Sequence, residues 1–239
     1  MRLLTLAAVF LAGLSVSPVN AASLRVSPVI LDLKAPTASS TLRVWNDAKT
    51  PINVQVRIFR WTQENGSDVL TPANDVVASP PMTLLKPGAE NVVRIVRLSK
   101  KPVKAEESYR IIVDELPPTG QQPSGTINLV LRHSIPVFFS ENTASEAQTV
   151  WSVTPQANGY RVSVSNNGTK RLRVANLKLL NESGKPVAGQ DGLVGYVLGK
   201  SGASWLVPAA GGKRSGGALK ISADSEGGPV NATARVTGG

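Results

Sequence analysis

The chain has 239 residues, no cysteine, a single histidine and a formal charge of +10, from 26 Lys and Arg against 16 Asp and Glu. Without cysteine there is no disulfide framework and no thiol chemistry, and with His133 alone zinc and haem lose their usual donors, so no metal or other cofactor is expected. The positive excess favours anionic partners, but no block of five or more basic residues occurs, which argues against a nucleic-acid-binding tail.

Met1-Arg2 precedes an apolar run from Leu3 to Val16 and then "SPVNAAS". A basic start, a short apolar run and small residues at a cleavage point predict a signal peptide over 1–21, cut after Ala21. The run is too short to span a membrane comfortably and no later run is longer, so export without membrane insertion is expected.

From Leu24 onward the chain reads as short strands. "LRVSPVILDL" (Leu24–Leu33) alternates imperfectly around Pro28; "STLRVWND" places Leu42 and Val44 on one face; "INVQVRIFRW" (Ile52–Trp61) alternates cleanly through Val54, Val56 and Ile58. "ENVVRIVRL" (Glu90–Leu98), "ESYRIIVDEL" (Glu107–Leu116) and "GTINLVLRHSIPVFF" (Gly125–Phe139) continue the style, with "NDAKTP", "ENGSD", "KPG" and "PPTGQQPSG" as turns between them. The small polar "SENTASEAQ" (Ser140–Gln148) marks a linker over 141–148. A second series of seven short strands runs from "TVWSVT" to "VNATARV". The fold class is therefore all-β: two tandem immunoglobulin-like β-sandwich domains, the first over 22–140 and the second over 149–239. Trp45 and Trp61 are expected in the first core, and Trp151 and Trp205 in the second. The Thr50–Pro51 bond is left open as cis or trans.

Catalytic signals are weak. His133 has no obvious carboxylate or nucleophile beside it in sequence; Asp114 and Glu115 are adjacent and so point to opposite faces of a strand. "GGKRSGG" (Gly211–Gly217) lacks phosphate-loop spacing and reads as a basic hairpin loop. The acceptor-like triplets at Asn167, Asn181 and Asn231 carry no meaning in a bacterial host. In "GTINLVLRHSIPVFF", Ile127, Leu129 and Leu131 form an apolar row; from the residues alone an ordinary core strand is the favoured reading.

"ASPPMTLLKPGAENVVRIVR" (Ala78–Arg97) combines a Pro-Pro pair, Leu-x-Pro-Gly and a Val-Arg strand. With "LRVSPV", "SYRIIVDELPP", "INLVLRHSIPVFF" and, more weakly, "NGYRVSVSN" in the second half, it closely resembles the periplasmic pilus-assembly chaperones of the chaperone–usher pathway, of the PapD-like type. The resemblance implies two immunoglobulin-like domains in an L shape, a periplasmic location and no enzyme activity, ATP or metal. It implies pilus or coat subunits as clients, delivery to an outer-membrane usher, and a lent G1 strand whose Ile127, Leu129 and Leu131 enter the client by β-augmentation. The Pro/Gly/Gln loop Pro117–Gly125 would order on pairing.

The family's carboxylate-binding Arg and Lys fall on Pro28 and Pro136 here, and the Arg of its interdomain ion cluster on Ser140, while Asp224 matches that cluster's Asp. These departures, with "FRWTQENGSDVLTPANDVVASPP" (Phe59–Pro81), are similar to the divergent group called archaic or alternative. Arg110 is then the first candidate to anchor a client, Arg132 the second, with Arg25 and Lys104 behind them. Two other readings are a pilin or coat subunit, which would carry one domain and a free donor segment, and an exported ligand-binding sandwich, which would display clustered aromatics that a 5% aromatic content does not favour.

Overall fold

The computed structural model describes residues 24–117, 129–141, 146–210 and 218–236. The expected signal peptide, Ile127, residues 118–125 of the Pro/Gly/Gln loop, residues 142–145 of the linker and the whole of Gly211–Gly217 lie outside the described residues.

The first half contains β1 (Leu24–Ser27), β2 (Leu31–Lys34), β3 (Ser39–Asn46), β4 (Ile52–Glu64), β5 (Ser67–Pro72), β6 (Val76–Ser79), β7 (Met82–Leu85), β8 (Glu90–Arg97), β9 (Glu107–Leu116) and β10 (Arg132–Ser140). One sheet runs β1-β3-β8-β6; the facing sheet runs β2-β10-β9-β4-β5, with β7 also paired to β4. The second half contains β11 (Thr149–Gln156), β12 (Gly159–Asn166), β13 (Leu172–Leu180), β14 (Pro186–Val197), β15 (Ser201–Pro208), β16 (Leu219–Ser225) and β17 (Gly228–Val236), in the order β14-β13-β16-β17-β11-β12-β15. The all-β expectation and the tandem arrangement are both met.

Alternation explains most of this. In β4, Ile52, Val54 and Val56 are buried between the two sheets and join Leu42, Val44, Val93, Ile95, Ile111 and Val137 in the first core. Full burial of each such side chain stabilises by about 1.5–3 kcal/mol. The imperfect stretch around Pro28 is two strands, not one. Proline has no N–H for a central ladder, and after it the chain crosses from the β3 sheet to pair with β10. Ser27–Pro28, Ala35–Pro36 and Ser79–Pro80 are the cis bonds among the described residues; Thr50–Pro51 is not one of them. At "ENGSD" a two-residue turn joins β4 to β5. Asn65 and Gly66 both have positive φ, 51° and 78°, as the tight hairpin turn matching strand twist requires.

The tryptophan expectation needs correcting. Trp151 is buried in the second core and Trp205 is packed on it. Trp45 instead lies on the outside of the four-stranded sheet, donating to Glu90 at 2.9 Å, and Trp61 belongs to neither core. Parity is the reason in both cases: Leu42 and Val44 face inward, so Trp45 cannot, and Val54 and Val56 face inward, so Trp61 cannot.

Candidate functional site

The face of the β2-β10-β9-β4-β5 sheet turned away from the first core carries Arg57, Phe59, Trp61 and Gln63 from β4, Arg110, Ile112 and Asp114 from β9, and Arg132, Ser134, Pro136 and Phe138 from β10. Register sets them in cross-strand rows: Phe59, Arg110 and Pro136 in one; Arg57, Ile112 and Ser134 in the next; Asp114 opposite Arg132 beyond. The foot of this face meets the second half of the chain. There Trp61 and Phe138 pack with Tyr196 and Leu198, with ring centroids 5.6–5.9 Å apart.

At this foot an ion cluster joins the two halves. Arg171, whose side chain is 1% exposed, donates to Glu106 at 2.5 Å, to Asp32 at 2.9 Å and to Glu226 at 3.0 Å, and its guanidinium lies 3.7 Å from the Phe138 ring centroid. Burial pushes the Glu106 carboxyl up against the opposing pull of Arg171. Burial also disfavours the Arg171 charge, yet the surrounding carboxylates raise its pKa on balance. The arginine comes from the second half and two of its acids from the first, the reverse of what the resemblance implies. Ser140 is buried at the end of β10, its carbonyl accepting from Ala35 N at 2.9 Å. Asp224 accepts from Asn176 at 2.7 Å, and Glu226, two residues on, takes the place in the cluster expected of it. No local signal marks Glu106 or Arg171, which lie 65 residues apart.

The upper end of the same face is open. β10 pairs with β9 from Arg132 to Phe139, but with β2 only from Val137 to Ser140. Among the described residues nothing pairs with the other edge over Arg132–Pro136. Leu129, just before β10, is 88% exposed. Leu131 differs: it packs partly on the first core, and its N–H donates to Glu115 Oε2 at 3.3 Å. The row of three is therefore not uniform, since Leu131 already belongs in part to its own sandwich. Three successive residues are tied at this point, because Arg132 bonds Asp114 and His133 Nε2 donates to Leu24 O at 2.9 Å. His133 thus holds β10 to β1.

Asp114 is 8% exposed and lies between two arginines, Arg57 at 2.6 Å and Arg132. Burial alone would raise its pKa; the hydrogen bonds from Arg132 and Arg57 outweigh that and hold the carboxyl below its ordinary range. One carboxylate shared by two guanidiniums leaves a net positive charge, and Arg132 keeps 65% of its side chain in solvent.

The other cations lie elsewhere. Arg110 stacks over Trp61 at 3.8 Å from the ring centroid, away from the β10 edge. It faces Asp68 only at 4.0 Å, and burial lowers its pKa. Arg25 is on the outside of the other sheet, paired with Asp47 at 2.8 Å and stacked on Trp45. Lys104 lines a groove of about 1020 Å³ between the halves, with Arg60, Lys101 and Leu198. Arg57, which stands beside Arg132, was legible in "VQVRIFRW", where parity puts it opposite Val54 and Val56. No group of three or more His, Asp or Glu able to hold a metal occurs among the described residues.

The family model for the N-terminal domain of PapD, described as pili and flagellar-assembly chaperone, matches residues 23–142. No curated protein matches the chain. Among solved structures, the chaperone–tip adhesion subunit pre-assembly complex CsuC–CsuE, from the archaic chaperone–usher Csu pili of Acinetobacter baumannii, matches at 25% identity. That match covers 91% of this chain and 100% of the other, with a TM-score of 0.68. The Salmonella enterica SafA pilin–SafB chaperone complex matches at 19% identity over 90% and 98%, TM-score 0.62, and the E. coli chaperone DraB at 19% over 90% and 97%, TM-score 0.56. The last two show the fold.

Proposed function

The chain belongs to the pili and flagellar-assembly chaperones with the PapD N-terminal domain, and from that premise we propose that it works in the periplasm, holding pilus or coat subunits by lending them a strand and passing them to an outer-membrane usher. The observation that carries this reading is the edge of β10, left unpaired over Arg132–Pro136 among the described residues and running into a solvent-exposed Leu129. An open edge with a projecting aliphatic residue is the template that β-augmentation uses: the backbone ladder supplies affinity and alternate side chains enter the partner's pockets. Holding of this kind needs no catalytic group and no nucleotide, because the free energy comes from completing the client's fold. The division at 22–140, 141–148 and 149–239 is part of the same proposal.

For the client's carboxylate, the accessible cations beside the open edge are Arg132 and Arg57. Each has N–H donors left over after binding Asp114, and charge-assisted bonds to a carboxylate are the strong kind. Arg110 is assigned to the joint between the halves instead. Co-expression with candidate subunits, followed by pull-down through a tag on this chain, tests the reading. A subunit recovered with the wild type and lost with Leu129→Arg supports it. Equal recovery with both removes strand lending through Leu129.

A further inference from the structure

The long hairpin made by β4 and β5 contains the "TQENGSD" stretch and reaches past the first sandwich to touch the second half of the chain. Gln63 inserts its amide between backbone groups at the end of β14: Nε2 donates to Tyr196 O at 2.8 Å and Oε1 accepts from Leu198 N at 2.9 Å. Both ends of one side chain are therefore satisfied as a neighbouring strand would satisfy them. At the hairpin tip, Ser204 N on β15 donates to Gly66 O at 3.0 Å. Gly66 has φ +78°, and a Cβ there would stand 2.9 Å from Ser204 Oγ. The tip fits β15 closely: a side chain at this position would carry the strain of positive φ and would also require the Ser204 hydroxyl to turn away.

The aromatic cluster and the Arg171 cluster lie at the foot of the sheet and would by themselves act as a pivot. A single patch of contact resists separation but not rotation about it. Gln63 binds Tyr196 and Leu198, which belong to that same patch, so the second attachment is the hairpin tip: Gly66 meets Ser204 on β15, and Glu64, just before the tip, is already three residues beyond Trp61, about 10 Å at strand rise. Two separated attachments fix an angle where one does not.

We propose that the β4–β5 hairpin is a strap that sets the angle between the two halves, Gln63 seating its shaft on the foot cluster and Gly66 fixing its tip on β15. It thereby holds the open β10 edge and the second sandwich in one fixed relation before any client arrives. The contact is made by backbone carbonyls and amides of β14 and β15, so it does not depend on the side-chain charges of the ion cluster.

The chain has no native cysteine, so spin labels can be placed at will. Labels at Arg94→Cys and Lys178→Cys, both on exposed strand positions of different halves, report the distance distribution by double electron–electron resonance on the full chain without client. Thermal unfolding checks that each variant is folded. The expected result is one narrow distribution for the wild type, a broad one for Gln63→Ala and for Gly66→Ala, and a return to narrow for Gly66→Ala with Ser204→Ala. The last step separates the contact from the turn, because Ser204→Ala removes the clash and leaves the φ cost of Gly66→Ala in place. Wild-type width in both single variants overturns the strap, leaving the foot of the sheet to hold the angle alone. A broad distribution that Ser204→Ala does not narrow overturns Gly66 as an attachment point. Neither outcome bears on whether the chain captures subunits.

Discussion

The guanidinium of Arg110 lies 3.8 Å from the centroid of the Trp61 ring, with 16% of the side chain exposed. It leans toward β4, away from the open edge of β10. Stacking of this desolvated kind is worth about 0.5–2 kcal/mol. Arg110→Ala should therefore lower the melting temperature, by about 2–4 °C for each kcal/mol in a protein of this size. Arg110→Lys should recover only part of it, since an ammonium lacks the planar stack. Calorimetry on the three proteins checks this. An unchanged melting temperature with lost subunit capture would return Arg110 to the role of anchor.

Leu129 and Leu131 are two residues apart on one row but should behave oppositely. Leu129→Arg alters a side chain already in solvent and should leave the chain's own unfolding unchanged, while subunit capture is lost. Leu131→Ala removes a side chain packed on the first core and should cost about 1–2 kcal/mol of stability, a large-to-small change at a half-buried site. Denaturant unfolding of both variants decides it; equal destabilisation would mean that Leu129 also belongs to the chain's own core.

Asp114 supplies a pH dependence. Its folded pKa is below the ordinary 3.8, so the native state keeps the carboxylate ionised deeper into acid than the unfolded chain does. The stability it contributes is present in full above 3.8 and is lost as pH falls through the lower folded value. Because Arg57 and Arg132 are partly in water and can be resolvated, Asp114→Asn should cost only about 1–2 kcal/mol at neutral pH. The acid limb of a stability–pH curve should be shallower in the variant. Parallel limbs in the two proteins would remove Asp114 as its source.

Arg171 is the buried hub of the ion cluster. Arg171→Met leaves Glu106 without its counter-charge in a buried site, a loss of about 3–5 kcal/mol. Adding Glu106→Gln should recover a large part, since the penalty lies in the unpaired carboxylate and not in the missing arginine. A double-variant cycle by chemical unfolding measures the coupling. Additive losses would mean that the two residues act independently.

Much of this protein is legible along the chain. Period-two alternation identified the strands of β3, β4, β8 and β9, and it sorted each side chain to one face. The same parity, applied to Trp45 and Trp61, would have taken both out of the first core, and it places Arg57 with Arg110 and Asp114. The turn at Asn65–Gly66 was legible because positive φ at two successive positions demands such residues. The tandem sandwich and the family resemblance also came from contiguous stretches, where local spacing is the signal.

Only the tertiary structure decided which neighbours share a face. Alternation says that Arg110 points away from the core, but not that it leans on Trp61 rather than toward β10. That depends on the register of β9 against β4 and on Tyr196 arriving from the other half of the chain. Likewise nothing near Glu106 announces Arg171, and nothing near Gln63 announces Tyr196 and Leu198. Strand periodicity is a property of one segment, whereas ion clusters and docking contacts are properties of pairs far apart in sequence, set by how two separately built sandwiches come to rest against each other.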